Sequence, residues 1–379
     1  MKKDYLMTPG PTPVPPEVLL SMAKPIIHHR TPQFQAIIKE CVEGLKYVFQ
    51  TQNDVFIFTS SGTGAMEASV CSVLSPGDKA ITVQGGKFGE RWTELCKSFG
   101  VAPVVIDVKW GQKVNPVDIE NILRKDKSIR AVYTTLCETS TGVTADIKTI
   151  GEIVKKFDAV LVVDAISGLG AVEFKTDEWS VDLAVAGSQK GLMIPPGLAF
   201  ITVSPKAWKL IETCKSPRYY FDLRLAKKAM QDTDTPFTPA ITLFIGLAEA
   251  LKMIKTEGLD TILARHKRMS EAVRNAVQAL GLKLYAPTAY SDAVTSVYVP
   301  EGVDGNKLVK IMRDKYGVGI AGGQSELKGK IFRVATMGYM TEFDCVVAIS
   351  ALETVLKESG YKFNVGSGLK AAQEVLLKS

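Results

Sequence analysis

Asp182-Leu-Ala-Val-Ala-Gly-Ser-Gln-Lys190 is an apolar stretch that runs into a turn of small residues and ends on a lysine. Upstream, Ala159-Val-Leu-Val-Val-Asp164 is a second apolar stretch, and it ends on a carboxylate. Short apolar runs bounded by turn residues are typical of buried strands in a parallel sheet. The two stretches therefore predict buried strands that place a lysine and an aspartate side by side at the end of a sheet.

Lys190 and Asp164 together point to a class of chemistry. A lysine in such a turn can form an imine with an aldehyde, and a buried aspartate beside it can keep a ring nitrogen protonated. Pyridoxal phosphate requires both groups from its protein. Taken singly, Lys190 could be a solvated surface lysine, and Asp164 could cap the turn that follows its strand.

Outward from these stretches, strand-like and helix-like segments alternate. Predicted strands are Val55–Thr59, Ala80–Gln84, Ala102–Val108, Ala131–Leu136, Val160–Asp164, Leu183–Ala186 and Leu198–Val203. Helical patterns fill most of the gaps, for example Gly89–Phe99, Pro116–Lys125 and Lys148–Phe157. This alternation predicts an α/β fold with a mainly parallel, seven-stranded sheet sandwiched by helices.

A chain of 379 residues suits one large and one small domain. Residues 1–16 are predicted to be an extended N-terminal arm, because the segment TPGPTPVPP is too rich in proline for a helix or a sheet interior. Such an arm must lie on another surface, for which a partner subunit is one candidate. Residues 17–262 are assigned to the large domain. Residues 263–379, where short strands and helices mix, are assigned to a small α+β domain.

Composition excludes several classes of protein. The chain is 46% apolar and 23% charged, and its net charge of +6 comes without a basic run, which argues against nucleic acid as a partner. No run of 18 apolar residues occurs, so a soluble, cytoplasmic protein without a membrane segment is expected. Six cysteines are spread singly, which predicts buried free thiols and neither a metal site nor disulfides.

A third segment, Ser60-Ser-Gly-Thr-Gly64, lies between a predicted strand and a helix. Small residues allow backbone N–H groups at the helix N-terminus to face an anion, which is how proteins bind phosphate. A dinucleotide motif is a poor match, because Glu67 stands where its third glycine belongs. A purely structural turn remains an alternative for this segment alone.

Five segments in one order resemble a known family: Ser60–Gly64, the Asp164 strand, Gly187–Lys190, Thr235–Pro239 and Ile331–Val334. Together they resemble the class V, fold-type I aminotransferases that use pyridoxal phosphate, in the alanine/serine–glyoxylate (serine–pyruvate) branch. The resemblance implies a homodimer with shared active sites. It also implies a ping-pong transaminase that moves an amino group from alanine or serine to glyoxylate or pyruvate.

The resemblance also implies roles for single residues. Lys190 and Asp164 would be catalytic, with Asp164 at the ring nitrogen of the cofactor. The other contacts to the cofactor would come from Ser61, Gly62, Thr63 and Gln189 at the phosphate, Phe88 and Ile166 on the two ring faces, Thr139 at the ring hydroxyl, and Thr238 at the phosphate of the neighbouring subunit. The family often has tryptophan where Phe88 stands and tyrosine where Thr235 stands.

Arg333 is the best candidate for the α-carboxylate of the substrate, because guanidinium and carboxylate groups form a two-pronged pair. Thr139 matches a family position that can also touch this carboxylate. An ordinary ion pair at the end of a strand is the alternative for Arg333.

Other functions remain open beside this transaminase. A class V enzyme that uses aspartate or another donor is one, and a non-catalytic scaffold of the same fold is another. A cysteine desulfurase is a poorer match, because that chemistry needs a histidine where Gln189 stands. It also needs a cysteine on the loop Gly317–Glu326, which has none.

Overall fold

The structure is a computed structural model, and it describes residues 3–378. Its strands are β1 (Tyr5–Leu6), β2 (Asp54–Thr59), β3 (Lys79–Gln84), β4 (Ala102–Asp107), β5 (Ile129–Thr135), β6 (Cys137–Glu138), β7 (Val143–Thr144), β8 (Val160–Asp164), β9 (Leu183–Gly187), β10 (Leu198–Val203), β11 (Val294–Tyr298), β12 (Val318–Gly319), β13 (Ala321–Gly322) and β14 (Ile331–Ala335).

The helices are α1 (Pro16–Met22), α2 (Pro32–Phe49), α3 (Gly62–Cys71), α4 (Lys87–Ser98), α5 (Pro116–Lys125), α6 (Ile147–Val154), α7 (Pro205–Thr213), α8 (Leu223–Gln231), α9 (Ile241–Glu257), α10 (Leu259–Ala279), α11 (Gly305–Tyr316), α12 (Glu342–Glu358) and α13 (Ser367–Leu376). Among residues 3–378, no helix combines the length and the apolar character needed to cross a bilayer.

A seven-stranded sheet in the order β2-β10-β9-β8-β5-β3-β4 carries the large part of the fold. All of its strands run in one direction except β10, which is antiparallel to both of its neighbours. Every residue of β8, β9 and β10 is buried, as expected for strands covered by helices on both faces. The predicted α/β fold with a mainly parallel seven-stranded sheet is confirmed.

Predicted and observed elements differ mainly where helices are short. The strand Val160–Asp164 and the helix Pro116–Lys125 have the predicted bounds. The helices α1, α7, α8 and α13 were not predicted. A start signal was present for α7, because the Ser204 hydroxyl accepts a hydrogen bond from the Ala207 amide and Pro205 occupies the first turn.

A smaller antiparallel sheet, in the order β11-β14-β13, lies in the C-terminal part of the chain. Helix α10 packs against α13, α12 and α9, so it joins this part to the rest. The proposed boundary between residues 262 and 263 falls inside α10. The division into domains therefore remains a prediction.

Part of the N-terminal arm packs on its own chain, and the expectation that the arm also lies on a partner subunit stays a prediction. Residues 1 and 2 of the predicted arm are outside the described residues. Strand β1 pairs in parallel with β12, and the Ala335 amide donates a 2.9 Å hydrogen bond to the Met7 carbonyl. Further along, Thr12 donates from its amide to the Gln189 carbonyl at 3.1 Å and from its hydroxyl to the Lys190 carbonyl at 2.9 Å. Because proline leaves few N–H groups in the arm, the few that remain fix its course.

The N-cap residue of helix α13 is Gly366, which has no side chain that could cap the helix. The carboxylate of Glu353, a buried residue of α12, takes that role instead. It accepts hydrogen bonds from the Gly366 amide at 2.7 Å and from the Leu369 amide at 3.0 Å. A carboxylate at a helix N-terminus satisfies free amides and is favoured by the helix dipole.

We expect Glu353→Gln to weaken α13 locally, because an amide side chain cannot accept both hydrogen bonds. The free energy of opening α13 should fall by about 1–2 kcal/mol, seen as faster hydrogen exchange at the amides of Gly366 and Leu369. Glu374→Gln, on the exposed surface of the same helix, is the matched control. Equal exchange in the two variants would contradict this account of the cap.

Candidate active site

The carboxyl ends of β5, β8 and β9 meet at one edge of the sheet, where ligands of open α/β folds bind. Asp164 is the last residue of β8, and the turn that holds Lys190 follows β9. The turn that holds Thr139 follows β5 by way of the short strand β6. The order of the strands thus brings the predicted lysine, aspartate and threonine to a common edge.

Lys190 is buried, with 8% of its surface exposed. Its Nζ donates a hydrogen bond to the Pro9 carbonyl of the N-terminal arm. A Cβ on Gly10 would lie 2.5 Å from this Nζ, so the arm can pass so close to the amine only because that position is glycine. Burial is the largest cause that lowers the pKa of the Lys190 amine to about 8; the charge of Arg333 acts in the same direction, and the charges of Cys137 and Asp164 act in the opposite one. A larger fraction of the amine is therefore neutral and nucleophilic near pH 7 than for a surface lysine.

Asp164 is buried, and its Oδ1 accepts a 2.8 Å hydrogen bond from the Ile166 amide. Burial raises the pKa of this carboxyl group to about 7, whereas the nearby charges of Arg91 and Lys190 act in the opposite direction. A cation placed against the carboxylate would stabilise its charged form. The environment of Asp164 therefore favours a cationic ligand group, as a protonated ring nitrogen is.

The predicted phosphate turn leads directly into α3. Ser61 is the N-cap residue of this helix, and its exposed side chain makes no capping hydrogen bond. A Cβ on Gly62 would lie 2.6 Å from Cδ1 of Ile166, which places the turn beside the residue two positions after Asp164. The Thr63 hydroxyl accepts a 3.2 Å hydrogen bond from Nη1 of Arg91. The helix N-terminus and this guanidinium together make the turn attractive to an anion.

Gln189 lies against the same turn. A Cβ on Gly187 would be 3.1 Å from its Oε1 and 3.6 Å from Cα of Gly62. This Oε1 is buried and has no hydrogen-bond partner. This amide oxygen can accept a hydrogen bond from a donor group of a ligand, whereas an anion at the turn would be bound by the NH2 group of the same side chain.

Arg333 is 5% exposed, and its guanidinium donates hydrogen bonds to backbone carbonyls. Nε and Nη2 donate to Gly322 at 3.0 and 2.7 Å, and Nη1 donates to Thr139 at 2.7 Å. Burial lowers the pKa of the guanidinium to about 10. A buried guanidinium whose partners are neutral carbonyls has a strong affinity for a carboxylate.

Thr139 connects this arginine to the lysine side of the site. Its carbonyl accepts from Arg333, and its hydroxyl is 2.6 Å from the Ser167 hydroxyl. Ser167 lies in the turn after Asp164, and it was not among the predicted site residues. Its position at a strand end next to Asp164 was the available signal.

Phe88 and Arg91 lie on α4, at the side of the site formed by the phosphate turn. The guanidinium of Arg91 is 5.1 Å from the ring centre of Phe88. The amides of Phe88 and Gly89 donate to the buried carboxylate of Glu138. Neither Arg91 nor Glu138 was predicted as a site residue.

Thr238 is exposed in the loop before α9. Among the contacts of residues 3–378 described above, none joins it to Lys190 or Asp164. Thr235, three residues earlier, is buried, and its hydroxyl donates a 2.8 Å hydrogen bond to the Phe237 carbonyl. The role of Thr238 toward a second subunit stays a prediction.

Comparisons with known proteins agree with this geometry. The chain matches the aminotransferase class-V family over residues 4–344. It is 44% identical to the protein named soluble hydrogenase, small subunit, of Synechococcus sp. (strain PCC 6716), over 99% of this chain and 98% of that protein.

Two enzymes of glyoxylate are also similar. The L-aspartate–glyoxylate aminotransferase of Paracoccus denitrificans (strain Pd 1222) is 40% identical, with 97% of this chain and 95% of that protein covered. The serine–glyoxylate aminotransferase of Methylorubrum extorquens is 39% identical, with 99% and 96% covered. The crystal structure of the ureidoglycine–glyoxylate aminotransferase of Bacillus subtilis has a TM-score of 0.96 at 32% identity and covers 99% of this chain and 98% of that one.

The residues at the sheet edge fit pyridoxal phosphate, the cofactor that such a family implies. A buried lysine with a lowered pKa, a buried aspartate that accepts a hydrogen bond from a backbone amide, and a helix N-terminus with the Arg91 guanidinium at Thr63 match the aldehyde, the ring nitrogen and the phosphate. The chain therefore belongs to the class-V family of aminotransferases, which are enzymes that depend on pyridoxal phosphate.

Proposed function

We propose that this protein moves the amino group of a small amino acid, alanine or serine, to glyoxylate or pyruvate in a ping-pong cycle. The observation that carries the proposal is the buried guanidinium of Arg333, whose hydrogen bonds end on neutral carbonyls close to Thr139. Such a group recognises the α-carboxylate that all of these substrates share.

Cofactor binding follows from the residues at the sheet edge. Ser61, Gly62, Thr63 and Gln189 would hold the phosphate at the N-terminus of α3. Phe88 and Ile166 would pack on the two faces of the ring, and Asp164 would keep its nitrogen protonated. When bound, pyridoxal phosphate supplies the electron sink that makes the α-proton of an amino acid acidic.

Lys190 has two tasks in this proposal. Its neutral amine would hold the cofactor aldehyde covalently in the resting enzyme. The same Nζ would also be the base that accepts and returns the proton of the substrate Cα during transamination. The lowered pKa suits both tasks, because an amine that titrates near working pH can accept and return a proton.

The substrate carboxylate would be held by Arg333, with the Thr139 hydroxyl as a second contact. The Ser167 hydroxyl, 2.6 Å from that of Thr139, fixes the orientation of the threonine. Binding at this end places the Cα of the substrate toward Lys190, where the proton transfer takes place. Both glyoxylate and pyruvate present the same carboxylate, so one site serves both halves of the cycle.

An aspartate donor is the second candidate within the family. It is favoured by the relative named L-aspartate–glyoxylate aminotransferase, at 40% identity. A scaffold without turnover is a candidate of a different class, suggested by the relative named as a hydrogenase subunit, at 44% identity. Buried Lys190, Asp164 and Arg333 at one sheet edge favour the enzyme, because a scaffold has no need to bury three ionisable groups together.

A homodimer with shared active sites is part of the proposal. Thr238 is exposed, so its side chain is available to contact the phosphate bound in a second copy of the chain. Beside it, Tyr219 is 73% exposed, and Tyr220 and Phe237 stack at 5.1 Å. An exposed aromatic cluster is a common feature of protein interfaces.

A cytoplasmic location is also part of the proposal. It agrees with six cysteines that are all free and buried.

We expect Lys190→Ala to remove the visible absorbance band of protein-bound cofactor and to lower the transamination rate by about 10²–10⁴-fold, because both covalent binding and proton transfer are lost. The band is read by absorbance after incubation with pyridoxal phosphate, and the rate by coupled assay. Lys156→Ala, at an exposed lysine, should leave both unchanged. A wild-type protein that stays colourless and inactive with added cofactor would favour the scaffold.

We expect Arg333→Lys to raise KM for the amino donor and for the keto acid by about 10–100-fold, because a lysine cannot pair with a carboxylate through two parallel hydrogen bonds. The bound-cofactor band should persist, since Arg333 does not hold the cofactor.

Stopped-flow half-reactions of the wild type with alanine, serine and aspartate identify the amino donor. Aspartate turnover far above that of the other two would overturn the choice of a small side chain.

The uptake of pyridoxal phosphate by the cofactor-free protein should depend on pH through Lys190. Its amine is protonated below a pKa of about 8 and neutral above it, so the uptake rate should rise roughly tenfold per pH unit below pH 8 and level off above. Arg333→Gln should move the midpoint upward, because the arginine charge helps to lower this pKa. A midpoint near the ordinary lysine value of 10.5 would show that the amine is not buried.

A further inference from the structure

Glu138 is a buried carboxylate that the proposed reaction does not use. It ends strand β6, and 5% of its surface is exposed. Burial raises the pKa of this carboxyl group, while hydrogen bonds from its neighbours act in the opposite direction. A buried acid at a site edge requires several donors in order to stay there.

The hydrogen-bond donors to the Glu138 carboxylate come from the first turn of α4 and from Ser140. Oε2 of Glu138 accepts from the Phe88 amide at 3.1 Å and from the Gly89 amide at 2.9 Å. Oε1 accepts from the amide and the hydroxyl of Ser140, at 3.1 and 2.5 Å. The Ser140 hydroxyl in turn accepts from the Lys87 amide at 3.1 Å. The free amides at the start of α4 are thus satisfied by Glu138 of β6 and by Ser140 of the turn that follows it.

The start of α4 is shaped to admit this carboxylate. The N-cap residue is Gly86, which has no side chain to offer as a cap. A Cβ at this position would lie 2.4 Å from Cδ of Glu138 and 2.4 Å from Oγ of Ser140. Only glycine leaves space for the two side chains to reach the helix N-terminus.

The backbone of Glu138 holds the opposite side of the site. Its carbonyl accepts hydrogen bonds from the amides of Thr141 and Gly142, which fold the turn after β6. In that turn, the Thr139 carbonyl accepts from Nη1 of Arg333 at 2.7 Å. The charge of Glu138 partly offsets the effect of burial on the pKa of Arg333, and it adds to the effect of burial on the pKa of Asp164. One residue therefore contacts both the helix that carries Phe88 and the turn that orients Arg333.

We propose that Glu138 is a positioning residue that sets the ring contact of Phe88 and the orientation of Arg333 relative to each other. This inference rests on the roles proposed above for Phe88 and Arg333. The side-chain hydrogen bonds of Glu138 go to Phe88, Gly89 and Ser140, so in this proposal it acts through other residues. Its carboxylate ties α4 to the turn, so the two halves of the binding site keep one spacing.

The test is Glu138→Gln, which keeps the shape of the side chain but replaces one accepting oxygen by a donor. The amides of Phe88 and Gly89 should exchange hydrogen at least about tenfold faster in the cofactor-free protein. The dissociation constant of pyridoxal phosphate should rise about tenfold, and the circular dichroism of the bound cofactor should weaken. KM for the amino donor should rise, while kcat at saturating cofactor should change by less than about threefold.

Glu94→Gln is the matched control, because Glu94 is an exposed residue of the same helix. If the two variants show the same exchange at Phe88 and Gly89 and the same cofactor affinity, the inference is overturned. Faster exchange spread evenly over the central sheet would overturn it as well, because Glu138 would then serve general stability.

Ser140→Ala provides a second route if the glutamine variant does not fold. It removes one donor to Glu138 and one acceptor for Lys87, and it should produce the same pattern with a smaller amplitude. Wild-type exchange throughout α4 in this variant would count against the inference. A wild-type protein that takes up no pyridoxal phosphate would instead sink the proposed function, since the exchange comparison needs no cofactor.

Discussion

Burial of Lys190 and Asp164 at one edge of a parallel sheet is the constraint on which the rest of this structure depends. Both groups lose their hydration there, and the loss moves their pKa values toward each other, to about 8 and about 7. In water the amine would be fully protonated and the acid fully ionised near neutral pH. Helices cover both faces of β8 and β9, and every residue of these strands is buried. The same packing that builds the sheet therefore also shifts the pKa values of the two groups at its edge.

Two glutamates show how the fold supplies helix caps over long distances. Helices α4 and α13 both begin at a glycine that has no capping side chain, and a buried glutamate from another element satisfies their first amides. Glu353 does this in the C-terminal part of the chain, and Glu138 does it at the active site. A cap from a distant element fixes where a helix begins and also its position relative to that element. At the active site this second effect matters, because α4 carries a proposed contact to the cofactor.

Sequence reasoning reaches the parts of the site that lie at strand ends. Apolar runs that end on Asp164 and lead to Lys190 predict the strands and their common edge, because such runs have one stable arrangement in an α/β fold. It does not reach Glu138, whose role depends on space left by Gly86, nor the cover that Pro9 and Gly10 place over Lys190. Both depend on contacts between residues far apart in the chain, which leave no periodic pattern. Short helices such as α8 were missed because one or two turns hold too few residues to establish a period.

The seat of the N-terminal arm has a consequence for the order in which the protein is made. Pro9 and Gly10 leave the ribosome before Lys190, yet the arm is held by β12 and by the Ala335 amide, which emerge after Lys190. Until those late residues appear, the amine of Lys190 lacks its cover, and the arm has no strand to pair with. A growing chain can therefore complete the central sheet, whose last strand is β10, before β12 and β14 are available to hold the arm over Lys190.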